Sequence, residues 1–279
     1  MKRIPRLKQA VSQYASFIAV HRFLKNFQPK IRIQFDKGNF TVKTVENWEE
    51  LSQVMRLRHE VFHCEFIGKP LPLALDFDRY DPLGDHLVIV DKDTGKIVGT
   101  YRLICSKFSN NFYSASEFDL DRFVAEPGIK LELSRACIHK DYRDGVVIAL
   151  LWRGLVQYIQ QSQAAFLFGC ASIRSMDVAE VQTVYQYLGS KDFLSTEYGI
   201  NPVPSYRMPG WKAAEGQGIE AGKALIPPLL NSYLRAGAKV FGEPALDSAF
   251  RCVDLFTVLK MEKLTPIFER RYQANEPSA

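Results

Sequence analysis

Cysteine is scarce, and the five that occur (Cys64, Cys105, Cys137, Cys170, Cys252) stand singly. Without a C-x-x-C pair or a Cys/His ligand spacing, the sequence offers neither a zinc site nor a disulfide framework, and reduced buried thiols in a cytoplasmic protein are expected. An uncharged run of about 18 residues is also missing, which argues against a membrane-spanning helix. The basic N-terminus has no apolar core followed by small residues, so a secretory signal is not expected. Repeats and low-complexity tracts are lacking. Acidic residues are missing from the first 35 positions, which hold eight Lys/Arg. The rest of the chain carries 28 basic against 31 acidic residues, so the net charge of +5 belongs to the N-terminal arm. A basic body able to hold nucleic acid is thereby excluded.

What is present suits one sizeable α/β domain: 279 residues, 47% hydrophobic and 24% charged. Residues 1–30 read as a basic amphipathic arm, with Leu7, Val11, Tyr14 and Ile18 on one face, suited either to an anionic lipid interface or to packing on the body. Each basic residue at an anionic leaflet would add about 1 kcal/mol. Alternation around Lys37-Gly38-Asn39 predicts a hairpin, and 48–66 predicts a helix whose Arg58 lies among apolar residues. The loop after Gly68 gathers Asp76, Asp78, Asp81 and Asp85 without the glycine and terminal glutamate of a calcium loop. HLVIVD and KIVGTYRLICS form a hairpin with Arg102 in its second strand. A buried lone arginine costs several kcal/mol, so Arg102 is expected to be paired or to face a cavity.

The richest stretch is Leu131–Trp152, LELSRACIHKDYRDGVVIALLW. It reads as a strand carrying Glu132, Ser134 and Arg135, a charged turn ending at Gly145, and a buried helix. The first N–H groups of such a helix lack internal partners and suit a phosphate. A strand (165–173) and a helix (176–193) follow. Cys170 and Ser172 lack the strained elbow and His partner of a nucleophile and are expected to pack in the core. Residues 201–220 read as a covering loop. A helix from Ile226 to about Leu234, a strand and turn in AKVFGEPALD, and a last strand at 254–261 complete the chain.

The order of elements matches the Gcn5-related N-acyltransferase arrangement, a mixed central sheet flanked by helices. LRHEVF, the acids at 76, 78 and 81, GTYRLI and ELSR resemble acyl-homoserine-lactone synthases. FYSASEFDL, ELSRACI, LFGCAS, PPLL, YLRAGAKVFGEPALD and DLFTVL resemble still more closely the bacterial ornithine-lipid N-acyltransferases, from about Phe40 to Leu259. The resemblance implies an acyltransferase domain at 31–271, made of a core at about 40–200 and a C-terminal extension at 201–271, followed by a tail at 272–279. It implies transfer of a 3-hydroxyacyl group from an acyl carrier protein thioester to an amino-acid α-amine, ornithine first. Glycine, lysine or tyrosine acceptors remain open, as do a lactone synthase and a non-catalytic carrier- or lipid-binding protein. Peripheral attachment to the inner face of the cytoplasmic membrane would follow from the arm.

Residue by residue, the resemblance implies catalytic roles for Glu132, Asp76, Asp78, Arg102 and Arg135. Arg102 and Arg135 either bind the acceptor carboxylate or pair with the acidic loop. Arg58, Phe62, Asp81, His86 and Ser134 would contact substrate. The backbone of Ala136, Cys137 and Ile138 would hold the oxyanion. Arg143, Gly145, Val146 and Val147 would receive the donor's phosphate. With its single glycine, this turn favours the phosphopantetheine of a carrier protein over the pyrophosphate of coenzyme A. No metal is expected.

Overall fold

A computed structural model describes residues 27–266 of the chain. The arm assigned to residues 1–30 falls almost entirely outside them, as does the tail.

Two hairpins open the fold, β1 (Gln34–Lys37) with β2 (Phe40–Thr44), and β3 (Asp85–Asp91) with β4 (Lys96–Cys105). There follow β5 (Phe118–Asp119), β6 (Lys130–Ile138), β7 (Phe166–Ile173), β8 (Leu194–Ser195), β9 (Asn201–Pro202), β10 (Lys239–Phe241), β11 (Ala245–Asp247) and β12 (Cys252–Lys260). The central sheet runs β1-β2-β3-β4-β6-β7-β12-β10-β8, with β11 attached to β12, while β5 and β9 pair separately. The segment expected as a C-terminal extension thus supplies β12, which pairs with β7 over eight positions.

The helices are α1 (Trp48–Arg58), α2 (Asp121–Ala125), α3 (Val146–Ser162), α4 (Val178–Ser190), α5 (Ile219–Leu225) and α6 (Pro228–Ala236). Asn47 caps α1 by accepting from Glu50 N–H at 3.0 Å, leaving Leu51, Val54, Met55 and Arg58 on its buried stripe. The helix continues in π-helical form through His59–Ile67 until Gly68, in the left-handed region, stops it. Alternation along β3 sorts the core. Leu87 and Ile89 pack with Val147, Leu150, Leu151 and Leu155 of α3, whereas Val88 packs with Leu51, Val54 and Met55 of α1. Helices therefore cover both faces of the sheet, the Gcn5-related arrangement expected. Two differences stand out. Helix α5 starts at the last two residues of the expected covering loop and fills the stretch before Ile226 for which no element was expected, and Gly222 lets it approach the Thr183 carbonyl and the Tyr187 side chain of α4. Ser172, expected in the core, is exposed.

The reason for that exposure is a fork in the sheet. β6 and β7 run parallel and pair only at Lys130–Phe166, Leu131–Leu167 and Glu132–Phe168. Beyond Glu132 they part, β6 staying with β4 across a bulge at Tyr101 and β7 staying with β12. Arg135 sits in the left-handed region at φ 52°, which turns β6 away. Residues 134–136 and Cys170 are half-buried, and Ser172 is exposed, at positions where a continuous central sheet would be closed.

At the crotch of the fork Gly169 has no room for a side chain, because a Cβ would run into the Leu133 carbonyl. Gly169→Ala is expected to cost about 1–3 kcal/mol, read as a lowered urea midpoint. An unchanged midpoint would show that the fork relaxes freely.

Candidate active site

Six charged side chains converge where α1, β4, β6 and the loop before β3 meet. Arg58 ends α1 and is wholly buried. Its Nε donates to Asp76 Oδ2 at 2.8 Å and its Nη1 to Asp81 Oδ1 at 2.5 Å. Arg102, also wholly buried on β4, donates to Asp78 at 2.6 Å, to Asp81 at 3.1 Å and to Ser134 Oγ at 2.9 Å. Arg135 of β6 donates to Asp78 Oδ2 at 2.9 Å and lies 3.6 Å from Asp76. Three guanidinium groups therefore meet three carboxylates. Burial alone would raise the pKa of Asp76 and Asp81, but the arginines prevail and hold both below the ordinary carboxylate range. The acids also shape their own loop, since Asp81 accepts from Asp78 N–H at 2.7 Å and Asp78 from Tyr80 N–H at 2.8 Å.

Arg135 is the network's outward member, with 13% of its side chain exposed. Its guanidinium lies 5.0 Å from the Tyr113 ring, 4.9 Å from Phe250 and 6.0 Å from Phe62. A cation framed by aromatic rings at the mouth of the fork suits a small carboxylate.

Glu132 sits deeper, at the last position where β6 pairs with β7, with no exposed surface. One carboxyl oxygen accepts from Tyr113 N–H at 2.8 Å and the other from Ser114 N–H at 2.6 Å. Burial nevertheless raises its pKa, with these donors opposing. The Ser114 hydroxyl accepts from the half-buried Cys170 thiol at 3.4 Å, so a chain of polar groups leads from the fork toward Glu132.

A second acidic group lines the β12 side. Glu117 and Asp254 are buried, and Asp254 accepts from Ser172 Oγ at 2.5 Å. Burial, then repulsion from Asp254, pushes the Glu117 carboxyl up to about 9. Burial also raises Asp254. Ligand-type atoms of Asp247, Cys252 and Asp254 lie within 4.8 Å of one another, but Asp247 already accepts from the N–H groups of Ala249 and Phe250.

Residues 57–153 match the acetyltransferase (GNAT) domain family. The chain is 30% identical over 241 residues to the L-ornithine N(alpha)-acyltransferase of Rhodobacter capsulatus, covering 81% of this chain and 92% of that one. The chain belongs to the L-ornithine N(alpha)-acyltransferase family. The Brucella abortus member is 28% identical over 253 residues, covering 85% and 90%. Among solved structures, the acyl-homoserine-lactone synthase LasI aligns with a TM-score of 0.47 at 14% identity, over 85% of this chain and 95% of that one.

This N-acyltransferase gathers most of the residues singled out in its sequence. Arg58, Asp76, Asp78, Asp81, Arg102, Ser134 and Arg135 form one connected network, with Phe62 against Arg135. Arg102 has no exposed surface and spends Nε and Nη1 on Ser134, Asp78 and Asp81, so it pairs with the acidic loop, while its Nη2 is left without a hydrogen-bond partner among the described residues. His86, expected at the substrate, is wholly buried behind Asp81, with Nε2 3.3 Å from the Asp81 carbonyl. Burial lowers its pKa to about 4, so it packs there as a neutral ring. At the start of α3, Gly145 takes φ 99°, and the Asp144 carboxylate accepts from Val146 N–H at 3.0 Å. Arg143 is held by Glu65 at 2.9 Å and donates to the Ile138 carbonyl at 2.9 Å, while Val147 points into the core. Of the turn's anion-facing groups, the Arg143 guanidinium and Val146 N–H thus have protein partners in place. Ala136 and Ile138 are half-buried along the fork, and the Cys137 side chain is turned to the α1 side.

Sequence reasoning missed Glu117, Asp254 and the Tyr113–Ser114 turn. Both acids lie inside phrases that carried the family resemblance, FYSASEFDL and DLFTVL, and an acid amid aromatic residues was the available signal.

The raised pKa of Glu117 has a definite sign. In the unfolded chain it ionises near 4.5 and in the folded chain near 9, so folding binds a proton between those values and stability falls as pH rises. Glu117→Gln removes this dependence. Urea melts are expected to show the variant gaining on the wild type by about 1 kcal/mol or more from pH 5 to pH 8. A difference constant with pH would contradict the assignment.

Proposed function

We propose that this enzyme transfers a 3-hydroxyacyl group from an acyl carrier protein thioester to the α-amine of ornithine, giving a lyso-ornithine lipid. The carrying observation is the fork itself. It leaves the facing edges of β6 and β7 unpaired beyond Glu132 and Phe168, with an outward guanidinium at Arg135 on one side and buried acids toward β12 on the other. The names of the relatives from R. capsulatus and B. abortus support ornithine as the acceptor.

Direct attack by a neutral amine fits the thiols present. Burial raises the pKa of Cys170 well above its ordinary value and pushes Cys137 up to about 12, so neither is a thiolate at neutral pH. Ser172 donates to a carboxylate, with no imidazole between them among the described residues. An acyl-enzyme is therefore disfavoured. The amine's nitrogen forms a bond to the thioester carbon, the oxygen takes the charge, and collapse expels the pantetheine thiolate. The proton lost by the amine passes to Glu132 by way of the Ser114 hydroxyl. A base of raised pKa is the right kind for this step at neutral pH. The oxyanion is held by backbone N–H groups of β6 at Ala136–Ile138, on the edge released by the fork. The carrier arm enters past the start of α3, where a phosphate would displace Asp144 from Val146 N–H or share it.

An anionic surface is the proposed place of work, through the basic arm. Among the described residues, no helix is long and apolar enough to cross a membrane.

Incubation with ornithine and either 3-hydroxyacyl carrier protein or the matching coenzyme A thioester is expected to give N-acylornithine by mass spectrometry, faster with the carrier protein. Glu132→Gln is expected to lower kcat by about 100-fold and flatten the acidic limb of the kcat/KM profile. A lactone, or no product, would contradict the reading. A variant of full activity would remove Glu132 as base.

A further inference from the structure

Glu117 is an anomaly of burial. It has no exposed surface, and although Tyr113 and Asp254 come near enough for hydrogen-bond-range interactions that shift its ionisation, neither carboxyl oxygen makes a hydrogen bond of ordinary geometry among the described residues. Buried carboxyl groups are ordinarily satisfied, and one left open beside a second acid destabilises the fold. Such an arrangement persists where a ligand completes it.

The surroundings define that ligand. Asp254 is joined at 2.5 Å to the hydroxyl of Ser172, which stands exposed in the fork, so the acid pair lies one side chain beneath the cleft. Asp247, the third acid nearby, is engaged by the N–H groups of Ala249 and Phe250, leaving Glu117 and Asp254 as the groups with capacity to spare. Arg135 faces the same space, close enough for its charge to favour ionised Asp254. Cation and acid pair are thus neighbours in one cleft, each with an unused side.

We propose that Glu117 and Asp254 form the subsite for the side-chain ammonium of a basic amino-acid acceptor, with Arg135 taking its α-carboxylate. This deepens the function proposed above and rests on it. Two of the acceptor's three ionic groups are then fixed by opposite charges, and the α-amine is the one left to shed its proton and attack. Entry of the ammonium supplies the hydrogen bonds that the Glu117 oxygens lack, and offsets the repulsion between the two acids. A neutral side chain would leave the acids as they are, so the subsite selects for a basic acceptor.

The test compares ornithine with norvaline, which has the same carbon chain without the terminal amine. The full chain is assayed with the same 3-hydroxyacyl carrier protein. The wild type is expected to prefer ornithine by about 100-fold or more in kcat/KM. Glu117→Gln and Asp254→Asn are each expected to compress that ratio at least tenfold, the loss falling on ornithine. Efficient turnover of ornithine with a wild-type ratio near one overturns the subsite and leaves the proposed function standing. So does an equal loss on both acceptors in folded variants. Turnover of glycine or tyrosine with none of ornithine overturns both. The wild-type ratio needs no substitution, so a variant that fails to fold does not remove the test.

Discussion

The bond between Arg58 and Asp81 is the contact on which the site depends. Both groups are wholly buried, and desolvating either alone costs several kcal/mol, so each is tolerable only in the presence of the other. Asp81 in turn engages Arg102 and fixes its own loop through Asp78 N–H. Asp78 and Asp76 carry the pairing onward to Arg135. The loop before β3 is thereby fastened to α1, β4 and β6 at once. Because the six formal charges cancel, the network is electrically closed on its inner side and presents a guanidinium at the fork.

The other wall of the fork obeys the opposite rule. Glu117 and Asp254 repel one another and are raised by burial, whereas Asp76 and Asp81 are lowered by their arginines. Two sets of buried acids in one protein thus differ in ionisation because one set makes ion pairs with arginines, whereas the other makes none among the described residues and only Asp254 is eased by the charge of Arg135. Acids with perturbed ionisation and spare hydrogen-bonding capacity are found where stability is exchanged for function. Glu132 lies between the two walls and holds the Tyr113–Ser114 turn, so the position of Glu117, three residues on, follows from it.

Much of this was legible from residues alone. The hairpins, the α3 helix and the fork strands followed from alternation, helical spacing and glycine punctuation. An arginine in the middle of strand β4 had to be paired or to face a cavity, and it is paired. What sequence could not give was direction. His86 and Arg102 stand on adjacent strands at paired positions, and only the packing of the loop over them seals both from the cleft. Ser172 looked like a core residue because strand periodicity assumes a continuous sheet, and the fork interrupts it. Glu117 and Asp254 are 137 positions apart in sequence, and they meet because β12 inserts beside β7. No local pattern encodes that insertion.

The claim that Arg58 and Asp81 jointly fix the loop is tested most directly by a double-mutant cycle. Arg58→Leu, Asp81→Asn and the double variant would be compared by urea unfolding at pH 7. A coupling energy of about 2 kcal/mol or more between the two positions is predicted, with the double variant more stable than the sum of the single losses implies. A coupling below about 0.5 kcal/mol would mean that the loop is held by other contacts and would contradict the account.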